Sequence, residues 1–101
     1  LVNQVEGGIV QAVIWTLKEA LPWTSAGNAA HSWEEYPIMR FDEVPEIEVV
    51  VLNRPDQPGL GSGECAAGPT AAAIGNALFH ALGVRARHLP LTVERIAAAM
   101  E

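Results

Sequence analysis

Asn53-Arg54-Pro55-Asp56-Gln57-Pro58-Gly59-Leu60-Gly61-Ser62-Gly63-Glu64-Cys65-Ala66-Ala67-Gly68 divides the chain into two parts of different periodicity. Two prolines and four glycines in these sixteen residues oppose regular structure and permit tight backbone turns. Downstream, Pro69 suits a first helical position, and Ile74, Ala77, Leu78, Ala81 and Leu82 form an apolar helical stripe that ends at Gly83. Val84 to Pro90 reads as a short extended stretch, after which the Thr92 hydroxyl is suited to cap a last helix from Val93 to Met100. Upstream, residues 33–52 turn to aromatic and β-branched types interrupted by Pro37 and Pro45, which predicts two strands. The second, Glu46 to Leu52, sets Ile47, Val49 and Val51 against Glu46, Glu48 and Val50. Farther upstream, Ile9, Val10, Val13, Ile14, Leu17 and Leu21 line one face of a helix over Glu6 to Leu21. Pro22 is placed to stop that helix, and Thr24-Ser25-Ala26-Gly27-Asn28 reads as a loop. The sum is an α+β chain with two main helices, a short C-terminal helix and a small sheet of two or more strands.

At 101 residues the chain holds one domain at most, residues 1–101. It opens on Leu1 rather than Met, which reads as a segment of something longer. Half of the residues are apolar and 18% are charged, so burial is expected nearly throughout. A formal charge of -6 would repel phosphate and anionic lipid, which argues against nucleic acid and membrane surfaces as partners. Lys18 and Glu19 interrupt the longest apolar run, well short of the roughly 20 residues that a spanning helix needs, and a soluble protein of undetermined compartment is expected. The lone Cys65 has no second cysteine for a disulfide or a cysteine-pair zinc site.

The chemistry concentrates in Pro58-Gly59-Leu60-Gly61-Ser62-Gly63-Glu64, three glycines at alternate positions leading to a carboxylate just ahead of a helix. One reading is a tight turn whose Glu64 is favoured by the helix dipole. The other is a carboxylate held on a short loop and partly dehydrated, so that its pKa rises and it accepts a proton near neutral pH. A phosphate cradle is excluded because the GxxxxGK[ST] spacing and its lysine are missing. Asn3-Gln4-Val5-Glu6-Gly7-Gly8 carries a second glycine pair at the start of a helix. It is either an ordinary helix start, with Glu6 complementing the dipole, or a place where free N–H groups and the Gln4 amide meet a polar cofactor. His31, His80 and His88 have no metal-ligand spacing, and His80 is expected on an exposed or partner-facing side of its helix. Trp15, Trp23 and Trp33 are read as packing residues, and Cys65 has no basic neighbour to activate it.

Gln4-Val5-Glu6-Gly7-Gly8-Ile9-Val10-Gln11, Tyr36-Pro37-Ile38, Val44-Pro45-Glu46-Ile47-Glu48-Val49, Gly61-Ser62-Gly63-Glu64 and Ala73-Ile74-Gly75-Asn76-Ala77 occur in that order. With the closing Gly83-Val84-Arg85-Ala86-Arg87-His88-Leu89-Pro90-Leu91-Thr92-Val93-Glu94-Arg95-Ile96, this set resembles the C-terminal part of the molybdopterin-binding subunit of the xanthine dehydrogenase and aldehyde oxidase family. Within that family it looks most like bacterial isoquinoline oxidoreductase, nicotinate dehydrogenase and aldehyde dehydrogenase subunits. The resemblance implies that Glu64 is the catalytic base and that Gln4 contacts the pterin. It implies that Gly7, Gly8, Gly61 and Gly63 shape the cofactor pocket. It further implies a molybdenum–molybdopterin cofactor in its cytosine dinucleotide form and 2Fe-2S clusters on another subunit or domain. No protein ligand to the metal is implied, because the dithiolene of the cofactor holds it. The implied partners are the remainder of the catalytic subunit, an iron–sulfur subunit, a flavin or cytochrome subunit and a small-molecule substrate. The implied reaction is hydroxylation of an aldehyde or N-heterocycle with water-derived oxygen. Cys65 stands where many relatives carry Pro or Ala, which bears on the substrate-side shape. The competing readings are a non-catalytic α+β assembly module and a degenerate subunit.

Overall fold

The computed structural model describes all 101 residues. Helix α1 runs Val2–Leu17, a two-residue hairpin pairs β1 (Trp23–Thr24) with β2 (Gly27–Asn28), and a 3₁₀ turn covers Phe41–Glu43. Helix α2 is Ala67–Leu82 and helix α3 is Val93–Ala98. The α+β class therefore holds, with two long helices, one short one and a two-stranded antiparallel sheet.

The helices form where their apolar spacing places them, and their ends obey local chemistry. Gly83 closes α2 in the left-handed conformation at φ 74°, a region that costs an L-residue with a Cβ roughly 1–2 kcal/mol. Thr92 caps α3 by accepting the Arg95 N–H at 3.4 Å. Helix α1 differs from expectation at both ends. It begins at Val2, so Gln4 rather than Glu6 occupies the first turn, and Glu6 is too far along to complement the dipole. It ends at Leu17, where the Lys18 and Glu19 N–H groups both reach the Ile14 carbonyl, before Pro22 is met. Helix α2 starts at Ala67 instead of Pro69, which moves Pro69 within the first turn, where its missing N–H is still harmless.

Strands appear in a different place from that predicted. Residues 33–52 form no ladder, whereas the expected loop 24–28 is the tip of the hairpin, with Trp23 opposite Asn28 and Thr24 opposite Gly27. The turn closes because Gly27 adopts φ 106° and the Thr24 hydroxyl both accepts from the Ala26 N–H and donates to the Gly27 carbonyl. A strand-like sequence such as Glu46 to Leu52 needs a neighbour to become a strand, and these residues have none within the chain.

The buried centre is small. Only five residues are buried, namely Ala12, Val13 and Thr16 on α1 with Pro90 and Leu91 beyond α2. The Thr16 hydroxyl donates to the Ala12 carbonyl at 2.6 Å, and the Thr16 carbonyl accepts the Leu91 N–H at 2.6 Å. Nearby ties run from Tyr36 to Glu19 and from Lys18 to Glu43. The Tyr36 hydroxyl is held above its ordinary pKa chiefly by its bond to the Glu19 carboxylate, and Glu43 is held below the usual carboxylate range chiefly by Lys18.

The expectation of burial nearly throughout is overturned, and so is the packing role of two tryptophans: Trp23 is 73% and Trp33 78% exposed, and Trp15 is also exposed. The radius of gyration is 16.5 Å, where a compact chain of about 100 residues has about 13 Å. The accessible surface is 7847 Å², against roughly 5,500 Å² for a globular monomer of this mass. Apolar composition sets how much surface seeks burial, but burial itself needs a second surface, and these residues supply little of it to one another.

Candidate functional site

Helix α1 packs along α2, and both glycine motifs lie at the start of that helix pair. Gln4, in the first turn of α1, donates from Nε2 to the Gly63 carbonyl at 2.9 Å, across 59 residues of sequence. One turn on, a Cβ on Gly8 would stand 3.4 Å from the Ala66 Cβ, the limit of ordinary contact. The loop that ends at Ala66 thus lies close against α1 at Gly8. One hydrogen bond to Gly63 and one close approach at Ala66 bring the first motif against the loop and the residues that follow it, and neither could be read from spacing.

Glu64 follows the anchored Gly63 and stands three residues before the first residue of α2, with its carbonyl accepting the Ala67 N–H at 3.2 Å. Its side chain is exposed, so the dehydration expected of a base is not supplied by these 101 residues. Gly7, Gly61 and Gly63 face open space at their Cβ positions, and none has a positive φ. Neither close packing nor a left-handed conformation explains them within the chain, while the space beside them is free for another group. Gln4 keeps its amide oxygen available after its nitrogen is committed to Gly63. This combination fits a flat polar heterocycle lying along the loop: a fixed amide, exposed backbone and unobstructed glycines.

Cys65 is exposed, and its thiol lies 3.5 Å from the Ser62 carbonyl. His80 is exposed, as expected. No group of three or more His, Cys, Asp or Glu side chains is arranged to hold a metal ion. A concavity of about 440 Å³ lies away from Glu64, near the end of α2, rimmed by Arg85, Arg87, His88 and Arg95. The sequence reading passed over it, although three of the six Lys and Arg residues fall between 85 and 95. Two of these arginines already have local roles. Arg85 stands over the Phe79 ring at 3.8 Å and donates to the Asn76 amide oxygen at 2.7 Å, while Arg95 donates to the Leu89 and Pro90 carbonyls.

No family model matches the chain. It is similar over 98 residues, at 44% identity, to a nicotinate dehydrogenase component of Pseudomonas putida KT2440, covering 97% of this chain and 8% of that protein. It is 34% identical over 89 residues to the beta chain of isoquinoline 1-oxidoreductase of Brevundimonas diminuta, covering 87% of this chain and 11% of that one. A membrane-bound aldehyde dehydrogenase of Gluconacetobacter polyoxogenes, whose name carries pyrroloquinoline quinone, is 33% identical over 90 residues, again 87% and 11% of the two chains. Among solved structures, quinoline 2-oxidoreductase from Pseudomonas putida 86 superposes with a TM-score of 0.75 at 31% identity, over 97% of this chain and 14% of the other. The chain therefore spans about a tenth of the length of its curated relatives.

Proposed function

Because the chain belongs to the molybdenum hydroxylase family, we propose that it is the C-terminal segment of a molybdopterin-binding domain whose full chain hydroxylates an aldehyde or N-heterocycle with water-derived oxygen. The observation that carries this reading is the Gln4 to Gly63 hydrogen bond, which joins the first glycine motif to the backbone beside Glu64. In the overall reaction a C–H bond and water become a C–OH bond, two protons and two electrons. The molybdenum–molybdopterin group, in its cytosine dinucleotide form, supplies the electron acceptor and activates water when bound. In this reading 2Fe-2S clusters on an iron–sulfur subunit, together with a flavin or cytochrome subunit, would supply the onward electron acceptors. The names nicotinate dehydrogenase, isoquinoline oxidoreductase and quinoline oxidoreductase favour an electron-poor N-heteroaromatic ring as substrate.

Each residue has a distinct task in this reading. Glu64 accepts the proton released as the water-derived oxygen attacks carbon. A glutamate is an effective base near neutral pH only when its carboxylate is desolvated. The walls that exclude water from Glu64 therefore belong to the remainder of the catalytic subunit. Gln4 positions the loop through Gly63 and offers its free amide oxygen to a pterin N–H. Gly7, Gly61 and Gly63 keep the approach to the backbone open, while Gly8 lies against Ala66.

Molybdenum and pterin content of the purified full-length subunit, by elemental analysis and fluorescence of the oxidised pterin, is the direct test. Near-stoichiometric amounts of both are expected. Pyrroloquinoline quinone in their place, as the name of one relative carries, or none of these groups under conditions that load a control hydroxylase, would overturn the assignment. Replacing Gln4 by Leu in the full chain removes the donor to Gly63 and is expected to lower turnover roughly 10–100-fold, since small misplacements of a reacting group cost that much. Pterin content should fall in parallel or less, and unchanged turnover and pterin content would remove Gln4 from the site.

A further inference from the structure

The concavity near the end of α2 gathers positive charge in a chain that is otherwise acidic. Its rim carries Arg85, Arg87, His88 and Arg95, and Ala98 of α3 lines its wall. These three guanidiniums are half of all the Lys and Arg side chains, in a chain with twelve acids. No carboxylate answers them. The ion pairs of the chain are Lys18–Glu43 and Arg54–Asp56. Glu94 is the one acid between Gly83 and Met100, and its carboxylate is engaged at the start of α3 by its own backbone N–H and the Thr92 hydroxyl. Two of the guanidiniums are held in place without being neutralised. Arg85 is fixed by the Phe79 ring and the Asn76 amide oxygen, and Arg95 by the Leu89 and Pro90 carbonyls, all of them uncharged partners. A guanidinium has five N–H donors, so each keeps donors free after these bonds. Arg87 is exposed and enters no ion pair.

We propose that this concavity binds a phosphate group, either the free inorganic ion or the phosphate end of a small ester. A phosphate dianion offsets two of the three guanidinium charges, where a single carboxylate offsets one. Its oxygens point in several directions and can accept from the 85–88 stretch and from α3 together. Guanidiniums already fixed by neutral partners lose little freedom on binding, which favours capture of the anion. The volume of about 440 Å³ is ample for the ion. An adjoining concavity of about 380 Å³ shares Arg85 and Arg87 and extends onto α2 at Ala72, Gly75 and Asn76, which leaves space for the organic part of an ester. The sixteen residues of α2 span about 24 Å between this end and the end where the two glycine motifs meet, so the inference does not depend on any role of Glu64.

Calorimetric titration of the full-length protein, purified with its bound cofactor retained, against inorganic phosphate at constant ionic strength tests the site. Saturable binding with a Kd on the order of 1 mM or tighter is expected. Arg87→Gln removes a charged donor that holds nothing else in the chain and is expected to weaken binding about 10–100-fold. Ala98→Glu places a carboxylate in the wall at an exposed helix position and is expected to weaken it at least as much, so the test survives a folding defect in either variant. Glycerol phosphate binding at least ~10-fold tighter than the free ion assigns the site to an ester, and equal or weaker binding assigns it to inorganic phosphate. No saturable binding, or undiminished affinity in a folded variant, overturns the proposal. Binding confined to protein stripped of its cofactor overturns it as well, because the cofactor's own phosphates then fill the concavity.

Discussion

Full-length subunit carrying Glu64→Gln is expected to lose hydroxylation by roughly 10²–10⁴-fold or more while its molybdenum and pterin content stays near that of the unsubstituted protein. The exchange of carboxylate for amide preserves shape and size but removes the proton acceptor. Glu64 is exposed and its side chain makes no hydrogen bond within the chain, so the substitution breaks no contact that holds the fold. The anchor at that point is the Gly63 carbonyl, which the Gln4 side-chain amide engages, independently of the side chain at position 64. Loss of turnover together with retained cofactor would separate a chemical role from a structural one. Near-normal turnover in a cofactor-loaded variant would falsify the role of Glu64, and the glycine loop would then be read as a tight turn ahead of α2.

The second large effect concerns folding. Residues 1–101 produced alone are expected to show no cooperative urea transition and to self-associate, whereas the same residues inside the full chain are folded. The accessible surface of 7847 Å² exceeds the roughly 5,500 Å² of a globular monomer of this mass by more than ~2,000 Å². If only half of that excess is apolar, leaving it in water forgoes about 25 kcal/mol at ~25 cal/mol per Å². That is larger than the entire ~5–15 kcal/mol margin of a typical domain. Phe41 is fully exposed and Leu60 nearly so, at 91%, so the deficit includes large side chains. Circular dichroism and urea titration measure this directly. A sharp two-state transition from a monomeric isolated segment would favour the self-contained assembly module and sink the view of this chain as part of a larger domain.

The long helices were legible because their signal is local. The stripe through Ile9, Val13 and Leu17 and the one through Ile74, Leu78 and Leu82 repeat within a few residues, and Gly83 and Thr92 terminate or cap helices through their own backbone and hydroxyl. Helix ends were less legible. The start of α1 at Val2 brings Asn3 and Gln4 inside it, and no apolar periodicity marks them. The strands were misplaced because pairing is a relation between segments: the Thr24–Gly27 turn closes on itself, while Glu46–Leu52 has the composition of a strand and no neighbour here. Residue type alone points tryptophan to packing, but exposure depends on what else is present, and Trp23 and Trp33 meet little within these residues.

The sequence by itself determined the two long helices and pointed through its ordered motifs to the family, because helical periodicity and short motifs are written in residues close together in the chain. Only the tertiary structure decided that Gln4 reaches the Gly63 carbonyl, that Gly8 meets Ala66 and that Glu64 stands uncovered. Those facts depend on how α1 lies against α2, which is set by the packing of surfaces dozens of residues apart and carries no periodicity for a sequence to display.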